Sequence, residues 1–260
     1  MVGNIHIMGI VNLTPDSFYA GSRTEADLAI PRIQALFEEG ADVVDLGACS
    51  TRPGAPHPSP EEEWQRLEPV LKVIGGQAPG RVLPAISIDT YRSEIVRRAY
   101  DIIGPFMVND VGGGELDTEM LATVGRLGLP YVAMCPSCAT TEEVIAWFKD
   151  FTIKADDAGI REWILDPGFG FGKTLDQNYE VLERLDEVVS AFPRPVLAGV
   201  SRKSMIYKKL GITPDDALPA TQVIQFMALQ KGATWLRVHD VIPAVNTARL
   251  FAAVSEKTSK

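Results

Sequence analysis

The 260-residue chain is poor in cysteine and histidine, with three of each, and carries no surplus of positive charge. It also lacks any unbroken apolar run of about 18 residues, so no membrane-spanning helix is expected. Lys and Arg number 25 against 34 Asp and Glu, a formal net charge of −9. That balance excludes general binding to nucleic acid, whose phosphates require a basic surface. An anionic ligand would need a local positive pocket, and Arg52, Arg202, Lys203, Arg237 and His239 are the candidates for one. Three cysteines cannot build a disulfide framework, and Cys135-Pro136-Ser137-Cys138 has no second pair to complete a zinc site. With Cys49, they are expected to be plain thiols. The chain enters its first apolar run without a basic leader or a small-residue cleavage site, which points to the cytoplasm.

What the sequence does contain is a repeating alternation. Short apolar runs, IHIMGIV, ADVVDL, PAISI, PFMV, YVAM, EWIL, PVLAGV and TWLRV, are each followed by a segment with helical spacing. Strands covered on both faces read as continuous apolar runs of this kind, and strand–helix alternation implies a parallel sheet with right-handed crossovers. Eight such units in 260 residues predict a single-domain (β/α)8 barrel spanning residues 1–260, with an open doubly wound sheet as the alternative. The spacing predicts helices near 25–39, 92–102, 117–127, 141–158, 175–189, 215–231 and 242–254. Ser59-Pro60-Glu61-Glu62 has the form of a capped helix start.

Several runs end in one polar residue: Asn12, Asp89, Asn109, Asp166, the Ser201-Arg202-Lys203 turn, and His239. Carboxyl ends of parallel strands are where such folds place their sites, so the chain reads as an enzyme working on that face. A lone strand-end Asp equally suits capping of the next turn, and Asp110 is expected to support its loop. Arg237 and His239, two apart on the last strand, can share an anion, with an ion pair to a rim acid as the plainer role for Arg237. His6 and His57 are expected to be bystanders. DPGFGFGKT lacks full P-loop spacing, so its glycines are read as a tight turn.

Together MGIVNLTPDSF, DLGACSTRPGA, SIDTYRSE, VNDVGGGELD, ILDPGFGFGKT, AGVSRKS and LRVHDV resemble the signature segments of the dihydropteroate synthases, in order from Met8 to Val241. The resemblance implies a βα barrel that joins dihydropterin-CH2-pyrophosphate to p-aminobenzoate, with magnesium as cofactor and a homodimer as the usual assembly. It implies that Asp89, Asn109 and Asp166 hold the pterin edge, Met134 packs its face, and Lys203 bonds the ring carbonyl and N5. Arg237 and His239, with Thr51 and Arg52 on a closing loop, would hold the diphosphate, and Asn12 the magnesium. Phe18, Pro53, Phe171, Lys203 and Ser204 would line the p-aminobenzoate pocket, which sulfonamides imitate. Lys203, Arg237, His239, Asp89 and Asp166 are the expected catalytic set. The chain departs from the family where Met134 runs into Cys135 rather than His, and where Cys49 replaces a common Glu. A methyl-folate to corrinoid methyltransferase domain and a pterin-binding paralogue without turnover are the competing readings.

Overall fold

The computed structural model describes residues 5–13, 25–49, 58–76 and 84–258. Eight strands alternate with helices: β1 (His6–Asn12), β2 (Val43–Gly47), β3 (Ala85–Asp89), β4 (Met107–Asp110), β5 (Tyr131–Met134), β6 (Trp163–Asp166), β7 (Leu197–Ala198) and β8 (Trp235–Val238). All neighbours are parallel, in the order β6-β5-β4-β3-β2-β1-β8-β7. A single bridge, Leu165 opposite Val196, joins the two ends of that series and closes the barrel. The open-sheet alternative is thereby set aside.

Ten α-helices are present among the described residues: α1 (Glu25–Glu38), α2 (Pro60–Gly75), α3 (Ser93–Ile103), α4 (Met120–Leu127), α5 (Thr141–Ala158), α6 (Leu175–Glu183), α7 (Leu185–Ala191), α8 (Ser204–Leu210), α9 (Leu218–Gln230) and α10 (Val241–Thr258). Local chemistry sets several starts. Ser59, Thr140 and Thr174 each cap a helix and exchange hydrogen bonds with Glu62, Glu143 and Gln177, pairing amides that would otherwise lie idle.

Two expectations need correction. The helix expected over 175–189 breaks at Arg184, which leaves helical geometry and pairs with Glu142, Glu180 and Glu187. Leu182 and Leu185 stay buried on either side, so apolar spacing carries no sign of the break. The seven-residue α8 was also not anticipated; it starts on Lys203 with no side-chain cap.

The main core lies between barrel wall and helices, as in Leu46, Ile88, Val108 and Leu165. Inside the barrel, Met8, Val43, Val132, Ile164, Leu197 and Trp235 form a separate apolar floor. His6, at the far end of β1, stacks on Trp235 with ring centroids 4.4 Å apart, away from the polar mouth.

Candidate active site

Side chains on a strand point inward at every second residue, so what lies above the floor follows from its register. Two residues beyond Val43, Val132, Ile164 and Trp235 come Asp45, Met134, Asp166 and Arg237. Ser87 joins this tier from β3, and Asn109 on β4, in register with Asp89, reaches Asp45 through its side chain. Asn12, Gly47 and Asp89 stand at the next level, neighbours in register. A dry floor thus carries a polar tier, at the carboxyl ends of the strands.

The tier is tied together. Arg237 Nε donates to Asp45 Oδ2 at 2.7 Å, and its Nη2 to Asp89 Oδ2 at 2.7 Å. Asn109 Nδ2 donates to the same Asp45 Oδ2 at 2.9 Å. Asp166 Oδ1 accepts from the Gly168 amide at 2.8 Å, which realises the turn-supporting role. Lys203 Nζ donates to the Phe169 carbonyl and lies 4.7 Å from the centre of the Phe171 ring. Ser204 follows as the first residue of α8.

The glycines of DPGFGFGKT perform the expected turn: Gly168, Gly170 and Gly172 all have positive φ. Gly168 admits no side chain, since a Cβ there would lie 2.5 Å from the Cys135 carbonyl. Lys173 Nζ fastens the turn through the carbonyls of Pro167, at 2.8 Å, and Gly168, at 3.0 Å. Asp110 supports its own loop, accepting from Gly112, Gly114 and the Tyr131 hydroxyl.

Charge in the tier is finely matched. Burial pushes Asp89 up to about 7, with Arg237 as the main opposition and the nearby Asp45 adding to the rise. Burial also raises Asp166, against the pull of Lys203. Desolvation brings Lys203 down to about 8, with Asp166 working to keep it charged. For Arg237, burial works against the charge, yet Asp45 and Asp89 hold it above its ordinary value. Desolvation and the nearby Arg237 push His239 down to about 4, although the residue is exposed at the rim.

The expected anion site changes in three respects. Arg237 is turned into the barrel toward two carboxylates, the ion pair weighed as its plainer role. His239 instead lies at the rim against Ser201, with Nδ1 3.1 Å from its hydroxyl oxygen and its amide donating to that oxygen at 3.2 Å. Arg202 leaves the candidate list: it adopts a φ of 51° and forms a fork on Asp240 at 2.8 and 2.9 Å. Its remaining donor goes to the carbonyls of Pro214 and Asp215.

Met134 is buried on β5, in register with Asp166. Phe18, Thr51, Arg52, Pro53 and His57 lie outside the described residues. Cys135 and Cys138, expected as thiols, form a disulfide. The Pro136-Ser137 turn brings their Cα atoms to 6.0 Å, within disulfide reach. Cys49 is a buried thiol, as expected.

Sequence reasoning passed over Asp45 and Lys173. For Asp45 a signal existed: an acid two residues after Val43 in ADVVDL must face the way Val43 faces, into the barrel. Among the described residues no cluster of three His, Cys, Asp or Glu side chains could hold a metal by itself.

The pterin binding enzyme family matches residues 8–239. A dihydropteroate synthase of Clostridium beijerinckii is 34% identical over 94% of this chain and 92% of its own length. The crystal structure of a dihydropteroate synthase from Clostridium difficile, solved in the presence of pteroic acid, superposes with a TM-score of 0.89 at 36% identity, covering 96% of each chain. The Xanthomonas albilineans dihydropteroate synthase with 4-aminobenzoic acid gives 0.89 at 35% identity, over 98% of this chain and 94% of that one.

Proposed function

The chain belongs to the dihydropteroate synthase family of pterin-binding enzymes, and on that premise we propose that it condenses (7,8-dihydropterin-6-yl)methyl diphosphate with 4-aminobenzoate. The products are 7,8-dihydropteroate and pyrophosphate, a step of folate synthesis. The observation that carries this reading is the polar tier of Asp45, Asp89, Asn109, Asp166, Lys203 and Arg237 seated on a dry floor. A flat heterocycle lined with donors on one edge needs acceptors at that depth, since an unpaired buried polar group costs about 1–3 kcal/mol.

In this reading Asp166 and Asn109 take the amino and ring N–H edge of the pterin, and Met134 covers its face. Lys203 meets the ring carbonyl and N5, its position fixed by the Phe169 carbonyl and the Phe171 ring. The methylene C–O bond breaks with its electron pair leaving on the diphosphate, and the aniline lone pair forms the C–N bond. The new ammonium then gives its proton to water. An aniline is nucleophilic without deprotonation, so the residues act by orientation and by stabilising the departing charge.

Lys203, Arg237 and His239, with Thr51 and Arg52, serve that departing charge. Phe18, Pro53, Phe171 and Ser204 line the 4-aminobenzoate pocket, for which sulfonamides compete. Magnesium fits the donor set: Asn12 ends β1 in an exposed position, and Gly47 keeps the space between it and Asp89 clear. A Cβ at Gly47 would lie 3.6 Å from Asn12 Oδ1 and 3.8 Å from Asp89 Oδ2. One amide oxygen with waters and phosphate oxygens suits a hard cation, which when bound neutralises diphosphate charge.

A homodimer in the cytoplasm completes the proposal. Val223 and Met227, four residues apart on α9, and Leu250 on α10 are exposed apolar side chains for a second copy to cover, and sedimentation velocity tests it. Among the described residues no helix is long and apolar enough to cross a membrane.

The deciding experiment mixes protein with dihydropterin diphosphate, 4-aminobenzoate and magnesium and follows pyrophosphate. Release that depends on 4-aminobenzoate supports the synthase. Pterin binding without release, or methyl transfer from a folate to a corrinoid protein, rejects it.

A further inference from the structure

Asp45 is fully buried, one level below Asn12, Gly47 and Asp89 at the mouth. Its Oδ2 accepts from both Asn109 Nδ2, at 2.9 Å, and Arg237 Nε, at 2.7 Å. Among the described residues its Oδ1 has no hydrogen-bond partner, and neither has the neighbouring buried Ser87 hydroxyl. Evolution of the core toward stability alone would replace such a residue, because an apolar side chain of similar volume avoids burying a carboxylate.

An ionised carboxylate only accepts hydrogen bonds. An amide facing Asp45 must therefore present its NH2 to it and turn its carbonyl oxygen elsewhere. The same oxygen also holds Arg237 by Nε, leaving Nη2 to reach Asp89. From this geometry we infer that Asp45 is a positioning residue for substrate recognition: it fixes the amide orientation of Asn109, so that Asn109 offers an acceptor to the donor edge of the dihydropterin. This rests on the pterin reading above. It goes further by assigning the polarity of one recognition contact to a residue below the ligand. Asp45 itself does not touch the substrate in this scheme.

The inference separates Asp45→Ala from Asp45→Asn. The carboxamide oxygen of the Asn variant can occupy the Oδ2 position and accept both bonds, whereas Ala offers no acceptor. Dissociation constants for dihydropterin diphosphate by calorimetry and the KM for each substrate are the readouts. Losing the fixed acceptor is expected to weaken pterin binding at least about tenfold in Asp45→Ala. The KM for 4-aminobenzoate stays within about twofold, since that substrate contacts neither Asn109 nor Arg237 in this scheme. Asp45→Asn restores pterin binding to within about threefold of wild type, because it returns the acceptor without the charge.

Pterin binding by Asp45→Ala equal to wild type overturns the inference, as does Asp45→Asn binding no better than Asp45→Ala. Should Asp45→Ala not fold, Asn109→Asp decides. Alone it sets two carboxylates against each other. Combined with Asp45→Asn it re-forms the 45–109 bond in the opposite sense while leaving an oxygen toward the ligand. A double variant that binds pterin better than Asn109→Asp alone supports the inference; one that binds no better overturns it. If wild type binds no pterin at all, the proposed function itself fails and this inference with it.

Discussion

Replacing Arg237 with Met tests the charge arrangement at the base of the site. The guanidinium is 20% exposed, its partners Asp45 and Asp89 are 0% and 7% exposed, and both contacts are 2.7 Å. This is a buried cluster, for which removing one partner costs about 3–5 kcal/mol because the remaining charge is stranded. For a chain of this size, that corresponds to a fall in melting temperature of about 10 °C. The loss also depends on pH. Asp89 already titrates at about 7 in the fold against an ordinary 3.8, so the folded protein keeps a proton that the unfolded chain releases. Stability therefore declines as pH rises through that window. Without Arg237, the main opposition to this shift is gone, and Asp89 moves higher still. Urea unfolding at about pH 5.5 and about pH 8.5 should show the deficit of Arg237→Met largest on the alkaline side and reduced in acid, where protonation removes the stranded charge. A deficit under about 1 kcal/mol at the higher pH, the value of a surface pair, refutes the reasoning. So does a deficit that grows toward acid.

Lys203→Ala should fold normally and lose pyrophosphate release at least about a hundredfold, as expected for a group serving the departing charge; steady-state rates near wild type would remove Lys203 from the catalytic set. Asp166→Asn should raise the dissociation constant for dihydropterin by roughly one to two orders of magnitude, as for loss of a charged hydrogen bond, measured by calorimetry. Gly125→Ala pits propensity against packing. Helix α4 gains about 1 kcal/mol from the exchange, but a Cβ there would press into the Ala158 carbonyl at the end of α5. The variant should therefore melt lower than wild type, and a rise would show that the two helices part easily. Thiol titration of the unfolded, unreduced chain should count one sulfhydryl, Cys49, and three after reduction. Closing so short a loop with the 135–138 bond should contribute about 2 kcal/mol to stability.

The barrel and its working face could be read from sequence because both follow from period-two burial and from where apolar runs stop. Asp89, Asn109 and Asp166 stood out as the first polar residues after such runs. Asp45 was hidden because it comes one level lower, with Leu46 after it, so the run seemed to continue. The partner of Arg237 was beyond reach for a different reason: it lies 192 positions away across the barrel, and only closure brings it near. Arg202 misled because a cation beside Lys203 looks like part of one cluster, whereas a left-handed backbone turn sends it to Asp240. The cysteine pair needed the actual bend of the Pro136-Ser137 turn, which composition does not reveal.

The barrel wall is not equally firm all round. Seven of its eight seams are ladders, and the eighth is one bridge, Leu165 to Val196. Asp166 and Lys203 stand on opposite banks of that seam, one the last residue of β6 and the other shortly after β7. Any parting of these two strands would act directly on the spacing between this acid and this amine. The acid and the amine therefore meet where the stitching of the wall is thinnest.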